Sequence, residues 1–299
     1  MLNIEPGTGI LGARVTGVDL AAPLADADFA AVLRALGKHG VLCFPGQPID
    51  AAALKAFSAR FGQLQVVHGI PYFEPGMPEV SILSNVIENG RQIGVPDAGQ
   101  DWHTDMTYNA TVGFVNVLVA HKVPMRDGQA LGATEFTNTQ AAYDDLPADL
   151  KTRLADATAS HDLNVFWEHM RKNKGSQRPP LTPEQRRERP PVRHPVFLTH
   201  PISGRKVIYV NPGFTERIDG MTDDDSAATL KMLFDHVLLP RYRHVHSWTV
   251  GDVLLWDHIG TWHYARPDYR ADEPRLMKRC QVLADRIFDH DFTRAALAA

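Results

Sequence analysis

Apolar residues recur at two spacings along the chain, and the spacing changes from segment to segment. Over residues 26–40 (DADFAAVLRALGKHG) they fall three and four apart, behind an acidic start and ahead of a closing glycine, which predicts a helix. Residues 50–61 repeat that style after the turn Pro45-Gly46-Gln47-Pro48, and residues 222–237 open with a threonine cap and three acids suited to a helix start. Short strand-like runs at 41–44, 115–121, 206–210, 244–248, 253–256 and 279–284 predict strands. Strands with interspersed helices and no regular strand–helix–strand alternation predict an α+β fold with a β-sandwich or barrel at its centre. No Gly-x-Gly-x-x-Gly or phosphate-loop pattern opens a helix, so the nucleotide-binding folds lose their main support.

One stretch departs from both periods. Residues 170–193 (MRKNKGSQRPPLTPEQRRERPPVR) are polar, proline-rich and basic, with nothing to bury in a core, and predict a long surface loop or a short helix flanked by loops. A solvated linker is one reading; a lid over an anionic ligand is the other.

Composition narrows the class. The 299 residues carry 31 Lys+Arg against 35 Asp+Glu, a net charge of −4, which argues against a nucleic-acid protein held by a basic surface. The 22 glycines and 21 prolines favour many turns over a helical bundle. Two cysteines, Cys43 and Cys280, are too few for a zinc cluster or a disulfide framework and read as buried, reduced thiols. No run approaches the length of a membrane span, and the start Met-Leu-Asn-Ile-Glu-Pro-Gly lacks the basic and apolar regions of a signal peptide. The expectation is one domain over residues 1–299, cytoplasmic, without nucleic-acid or membrane partners.

The candidate chemistry starts at Gln100-Asp101-Trp102-His103-Thr104-Asp105-Met106-Thr107-Tyr108. In an extended chain residues i and i+2 share a face, so His103 and Asp105 can converge on one metal ion suited to an imidazole and a carboxylate, such as Fe(II), Mn(II) or Zn(II). Among 14 histidines about one His-x-Asp arises by chance, so the pair alone carries little. A second cluster, residues 251–269, holds Trp256-Asp257-His258 and Trp262-His263-Tyr264; a third imidazole from it would complete a facial triad with three open positions. Arg275 and Arg279 follow, four apart; in an extended chain both face one way and can hold anions through paired N–H donors.

Taken together these segments resemble the taurine / 2,4-dichlorophenoxyacetate dioxygenase family of Fe(II)- and 2-oxoglutarate-dependent oxygenases. The likeness spans nearly the whole chain: residues 9–20, Val41-Leu-Cys-Phe-Pro-Gly-Gln, Phe57-Ser-Ala-Arg-Phe-Gly, Trp102-His-Thr-Asp-Met-Thr-Tyr, His194-Pro-Val, Thr199-His-Pro-Ile-Ser-Gly-Arg-Lys, and Trp256-Asp through His263, Arg275 and Arg279, in family order. The resemblance implies a double-stranded β-helix, or jelly roll, with flanking helices. It implies that His103, Asp105 and His263 ligate iron and that Arg275 and Thr134 hold the distal carboxylate of 2-oxoglutarate. Arg279 would face the acidic group of a substrate, and His68, Tyr72, Asn164 and Phe166 fall where relatives contact theirs. O2 is the oxidant, and hydroxylation would release succinate and CO2, with fragmentation where the new hydroxyl destabilises the product. Asp105 argues against the halogenating relatives, which lack this carboxylate. A homo-oligomer, dimer or tetramer, is implied as well.

Departures from the pattern bear on the substrate. Gly99 stands where the taurine enzyme has an asparagine, the usual Trp-Asp-Asn-Arg reads Trp256-Asp257-His258-Ile259, and Gly-Gly-Asp-Thr reads Leu131-Gly132-Ala133-Thr134. These departures weigh against taurine itself, while Arg279, the basic 170–193 segment and His68 point to a small organic anion: a sulfonate, sulfate ester, aryloxyalkanoate or other carboxylate. Two other classes remain open on the residues alone, a non-oxygenase metal enzyme such as an isomerase, and a non-catalytic anion-binding jelly roll. His258 is expected to be a hydrogen-bonded histidine near the mouth; His194, His200, His244 and His246 are read as structural or surface residues, and Trp102, Trp256 and Trp262 as core packing.

Overall fold

A computed structural model describes residues 1–66, 71–176 and 179–297. Its largest sheet has eight strands in the order Asn3–Pro6, Ala13–Thr16, Val41–Phe44, Val253–Asp257, Gly113–Lys122, Leu276–Leu283, Met77–Ser84 and Phe73–Glu74. Every neighbouring pair is antiparallel except Ala13–Thr16 with Val41–Phe44.

The central strands show why continuous apolar runs were needed. Leu42, Phe44, Val117, Val119, Val253 and Leu255 point to one face, against the helices Asp26–His39 and Ala51–Ala59. Val41, Leu118, Ala120, Leu254 and Trp256 point to the other face and pack with Phe136 from a three-stranded sheet of order Arg243–His246, Thr134–Asn138, Thr261–Ala265. Successive side chains thus alternate between two buried layers, and each layer needs its own apolar set. The smaller sheet is backed by the helix Asp223–Val237, whose Leu230, Leu233 and Val237 pack with Trp262. The chain is therefore mixed α/β around a large sheet.

The three expected helices form, trimmed at their ends by their caps. Asp50 accepts from the Ala53 amide at 2.8 Å and Thr222 from the Asp225 amide at 3.2 Å, so both residues sit just outside the helices they start. The 206–210 strand is shorter, Lys206–Ile208, the 244–248 strand shifts to Arg243–His246, and the 279–284 strand begins earlier, at Leu276. Among the strands that the apolar pattern missed, Met77–Ser84, Thr134–Asn138 and Thr261–Ala265 carry polar residues on the buried layers.

The 170–193 segment is only partly what its composition suggested. Met170 is fully buried at the end of the amphipathic helix Leu163–Asn173, where it packs with Phe166 and Phe214, so the segment does reach a core at its first residue. Further on, the short helix Pro183–Glu188 is flanked by loops and held by a reciprocal cap, with Thr182 accepting from the Gln185 amide and the Gln185 side chain accepting from the Thr182 amide. Both cysteines are free; Cys280 is buried as expected, whereas Cys43 is only half-buried.

Candidate active site

His103 and His263 are brought together by main-chain bonding rather than by a continuous strand. The His103 amide donates to the His263 carbonyl at 3.1 Å, and the His263 amide donates back at 2.7 Å, an isolated antiparallel bridge that sets the two residues opposite one another. The bridge requires close approach from behind: a Cβ on Gly213 would lie 2.6 Å from the His103 Cβ. Asp105 reaches the same point two residues further on, where the chain enters a turn. Residues 105–108 form a turn, with Met106 at φ 66°, and the Thr104 hydroxyl donates to the His258 carbonyl at 2.6 Å. The bridge at His103 and the turn that begins at Asp105 together set the carboxylate beside the imidazoles, while the intervening Thr104 side chain points to the His258 carbonyl.

The side chains converge. Asp105 Oδ1 lies 3.3 Å from His103 Nε2 and Asp105 Oδ2 lies 3.7 Å from His263 Nε2. One ligand atom from each residue falls within 4.8 Å of the others, and all three residues are buried. His103 Nδ1 lies 2.8 Å from the Asp101 carbonyl, which can only accept; the ring proton is committed there and Nε2 is left as the ligating atom. Burial lowers the His263 imidazole well below its ordinary range, with His103 adding to the effect, so the ring is neutral as a metal ligand must be. Burial also works to raise the Asp105 carboxyl, but Arg279, His103 and His263 together outweigh it and hold the group well below the usual carboxylate range. Two imidazoles and an ionised carboxylate, all buried, fit a divalent first-row metal with open coordination positions.

Two cations complete the pocket. Arg279, on the strand Leu276–Leu283, places Nη1 3.5 Å from Asp105 Oδ2, long for a hydrogen bond, and its buried Nε has no partner. Arg275 is 5% exposed and its Nε is also without a partner. Its backbone is clamped on both sides, the amide donating to Asn85 Oδ1 at 2.8 Å and the carbonyl accepting from the Ser84 hydroxyl at 2.7 Å. Gly132, at φ 69°, runs beside it: a Cβ there would meet the Tyr269 ring at 3.3 Å and Arg275 Nε at 3.5 Å. Thr134, two residues on, is buried, and its hydroxyl oxygen accepts from Trp248 Nε1 at 3.0 Å. That bond uses the acceptor side and leaves the Thr134 proton free to be donated.

The other expected contacts divide. Phe166 does join the centre, its ring 5.3 Å from that of His103. Asn164 lies in the first turn of the same helix, and its buried Oδ1 has no partner. Tyr72 lines a cavity of about 670 Å³ together with Leu163, Lys174, Leu181 and Arg189, whose lining does not include the three converging residues. His68 lies outside the described residues. His258 is fully buried, and neither ring nitrogen has a hydrogen-bond partner, contrary to expectation; burial pushes its imidazole down to about 4. Trp256 and Trp262 are core residues, and the half-buried Trp102 stacks on Tyr264 at 5.6 Å.

Sequence reasoning gave Asp101 no role, and the structure gives it two. Its carbonyl fixes His103, and its carboxylate meets His169 Nε2 at 2.7 Å and Lys174 Nζ at 3.5 Å, tying the metal motif to the helix Leu163–Asn173 and the basic residues after it. His200 also proves more than structural filler. Its Nδ1 accepts from the Ile202 and Ser203 amides and its Nε2 donates to Asp257 at 2.9 Å, while Asp257 accepts from the Ile259 and Gly260 amides. Both side chains are buried, and together they hold the turn that leads into His263. Asp257→Ala is expected to cost about 3–5 kcal/mol, because three buried donors lose their acceptor. Urea unfolding checks this, and a loss below about 1 kcal/mol would contradict it.

Comparisons with known proteins agree with this geometry. The chain is 31% identical over 292 residues to pentalenolactone F synthase of Streptomyces avermitilis, covering 94% of this chain and 93% of that protein. It is 30% identical to the alpha-ketoglutarate-dependent 2,4-dichlorophenoxyacetate dioxygenase of a Burkholderia species, with 91% of each covered. The crystal structure of AAD-2 in complex with Mn(II) and N-oxalylglycine superposes with a TM-score of 0.77 at 26% identity, covering 95% of this chain and 97% of that one. The taurine catabolism dioxygenase TauD, TfdA family matches residues 3–281, a span that contains the converging histidines, Asp105 and both arginines, and the chain belongs to that family.

Proposed function

We propose that this protein hydroxylates a small organic anion at an iron held by His103, Asp105 and His263. Membership of the family makes it an Fe(II)- and 2-oxoglutarate-dependent dioxygenase, and the relatives give no support to a metal isomerase or a non-catalytic binder. The observation that carries the residue assignment is the convergence of two imidazoles and one ionised carboxylate on a single buried point. When bound, iron with 2-oxoglutarate supplies the activation of O2 that ends in hydroxylation with release of succinate and CO2.

The protein's own groups bind and orient. Arg275 and Thr134 are assigned to the distal carboxylate of 2-oxoglutarate. A buried guanidinium with an unused N–H and a hydroxyl whose proton points away from Trp248 are the two donors such a group needs. Arg279 is assigned to the acidic group of the substrate; its loose contact with Asp105 leaves its donors available. Phe166, whose ring lies beside that of His103, is assigned to the pocket wall at the iron, and Asn164 and Tyr72 are assigned to the substrate. His68 is included in the substrate group on sequence position alone.

The eight-stranded sheet packed against the three-stranded one supports reading the core as a double-stranded β-helix, with residues 1–299 as one domain. The link from Asp101 to His169 and Lys174 supports the 170–193 segment as a covering element whose cations face an incoming anion. Among the described residues no helix is long and apolar enough to cross a membrane.

Matched pairs of acids and their neutral amides or esters test the substrate class, read as substrate-dependent succinate formation. Aryloxyalkanoates, alkyl sulfates and simple carboxylates are the acids to try, and at least one is expected to stimulate turnover where its neutral partner does not. Arg279→Ala should raise the KM for that acid by about 10- to 100-fold, the worth of a charge-assisted hydrogen bond. Equal turnover of acid and neutral analogue would contradict an anionic substrate.

A further inference from the structure

A second group of metal-ligand side chains lies apart from the triad. One ligand atom each from Cys43, His246 and Asp252 falls within 4.8 Å of the others. They come from three segments: the large-sheet strand Val41–Phe44, the small-sheet edge strand Arg243–His246, and the turn before Val253–Asp257. Cys43 faces the layer between the sheets, as Val41 does, while Leu42 and Phe44 face the helices. Opposite it, His246 pairs with Thr134 across the small sheet.

The details are those of ligands around a common point rather than of a bonded pair. His246 Nε2 is buried and has no hydrogen-bond partner, although Asp252 Oδ2 is only 3.4 Å away. The imidazole is held by the Trp248 ring, edge-on at 4.7 Å and 90°. The Asp252 carboxylate is 5% exposed and is fixed by the Thr249 amide, which donates to Oδ2 at 2.9 Å. Hydrogen bonding thus positions the carboxylate and ring packing positions the imidazole, yet the two do not satisfy each other.

We propose that Cys43, His246 and Asp252 form a second cation site, for zinc, that cross-links the large and small sheets. One thiolate, one imidazole and one carboxylate match the ligand types zinc takes, with water in the fourth position. Tetrahedral bonds of about 2.0–2.3 Å need only a modest contraction of the present spacing. The iron triad offers no sulfur, so the two sites differ in softness and divide two metals between them. Without a cation the Cys43 thiol keeps its proton, since burial first and Asp252 second push it up to about 12; Arg14 works the other way. Binding forms the sulfur–metal bond and releases that proton to solvent. The cysteine count excludes an all-cysteine cluster but not this mixed set.

Cobalt(II) is the probe, because a thiolate ligand gives it a near-ultraviolet charge-transfer band that histidine and carboxylate ligands do not. The full-length, reduced, metal-free protein is titrated under nitrogen without 2-oxoglutarate. The expected result is a thiolate-to-cobalt band that saturates by two equivalents, because the triad takes cobalt as well, and that is abolished by an excess of zinc. Cys43→Ser should remove the band while iron-dependent succinate formation persists, and His246→Gln should weaken cobalt binding at the same band. Asp105→Ala should keep the band, so loss of the iron triad and loss of this site are told apart. A wild-type protein without the band, or a band that survives Cys43→Ser, would overturn the assignment; failure of zinc to displace cobalt would overturn the choice of zinc.

Discussion

Replacing Asp105 with alanine is expected to lower turnover by more than about a hundredfold and to leave the protein unable to retain iron through gel filtration. Loss of an outer partner that merely orients a metal ligand already costs about 10- to 100-fold in affinity or activity, and here a ligand itself is removed. Asp105 also supplies the only negative charge among the three converging residues. Without it, two imidazoles and no anion face the Arg279 guanidinium, 3.5 Å from where the carboxylate was, and a divalent cation meets a net repulsive site. Iron content and succinate formation are measured on the same sample, with circular dichroism as the check on folding. Turnover at the wild-type rate would remove Asp105 from the metal centre.

Arg275→Met separates cosubstrate binding from stability, and the two effects are expected to have different signs. Removing one partner of a buried charge pair costs about 2–5 kcal/mol in binding, which corresponds to an increase of about 30-fold to several thousand-fold in the 2-oxoglutarate requirement. The free protein should fare no worse. In it the guanidinium is buried with an unpartnered Nε, close to the like charge of Arg279, with Tyr269 as a hydrogen-bonding neighbour whose ring lies 5.9 Å away. A methionine of similar length removes that buried charge, and such replacements are commonly neutral or stabilising. Thermal unfolding with and without 2-oxoglutarate reads both effects: the wild type is stabilised by about 2.7 kcal/mol at a hundredfold excess over Kd, and the variant is not. An unchanged requirement for 2-oxoglutarate would mean that another cation holds its distal carboxylate.

What could be read from the sequence follows from what each residue has to satisfy. The helices at Asp26–His39, Ala51–Ala59 and Asp223–Val237 announce themselves because apolar spacing agrees with a local start or stop signal, and Asp50 and Thr222 act as the caps they look like. Val41–Phe44 and Val253–Asp257 are legible because both their faces are buried, which demands unbroken apolar runs. Thr134–Asn138 and Thr261–Ala265 are not, because their side chains serve the site: Thr134 and His263 occupy positions where a core strand would place aliphatic residues. Strands that carry chemistry break the pattern that marks strands.

The site shows the same division. His103, Asp105, His263 and the two arginines are legible as a family motif, and His103 and Asp105, two residues apart, do meet at one point. The turn at residues 105–108, with Met106 at positive φ, is revealed by no spacing rule. Arg279 does face the pocket along its strand as alternation requires. Asp101, the buried His200–Asp257 pair and the Cys43–His246–Asp252 group depend on contacts between distant segments, for which local periodicity carries no signal. His258 was misjudged for a related reason: its burial without partners is a property of the packed centre and not of its neighbours in the chain.

The most direct test of the metal and cosubstrate assignment is a visible difference spectrum of the metal-free protein loaded with Fe(II) and 2-oxoglutarate under nitrogen. A metal-to-ligand charge-transfer band is expected, absent in Asp105→Ala and displaced to higher 2-oxoglutarate concentrations in Arg275→Met. Iron bound at His103, Asp105 and His263 with no band on adding 2-oxoglutarate would contradict the assignment.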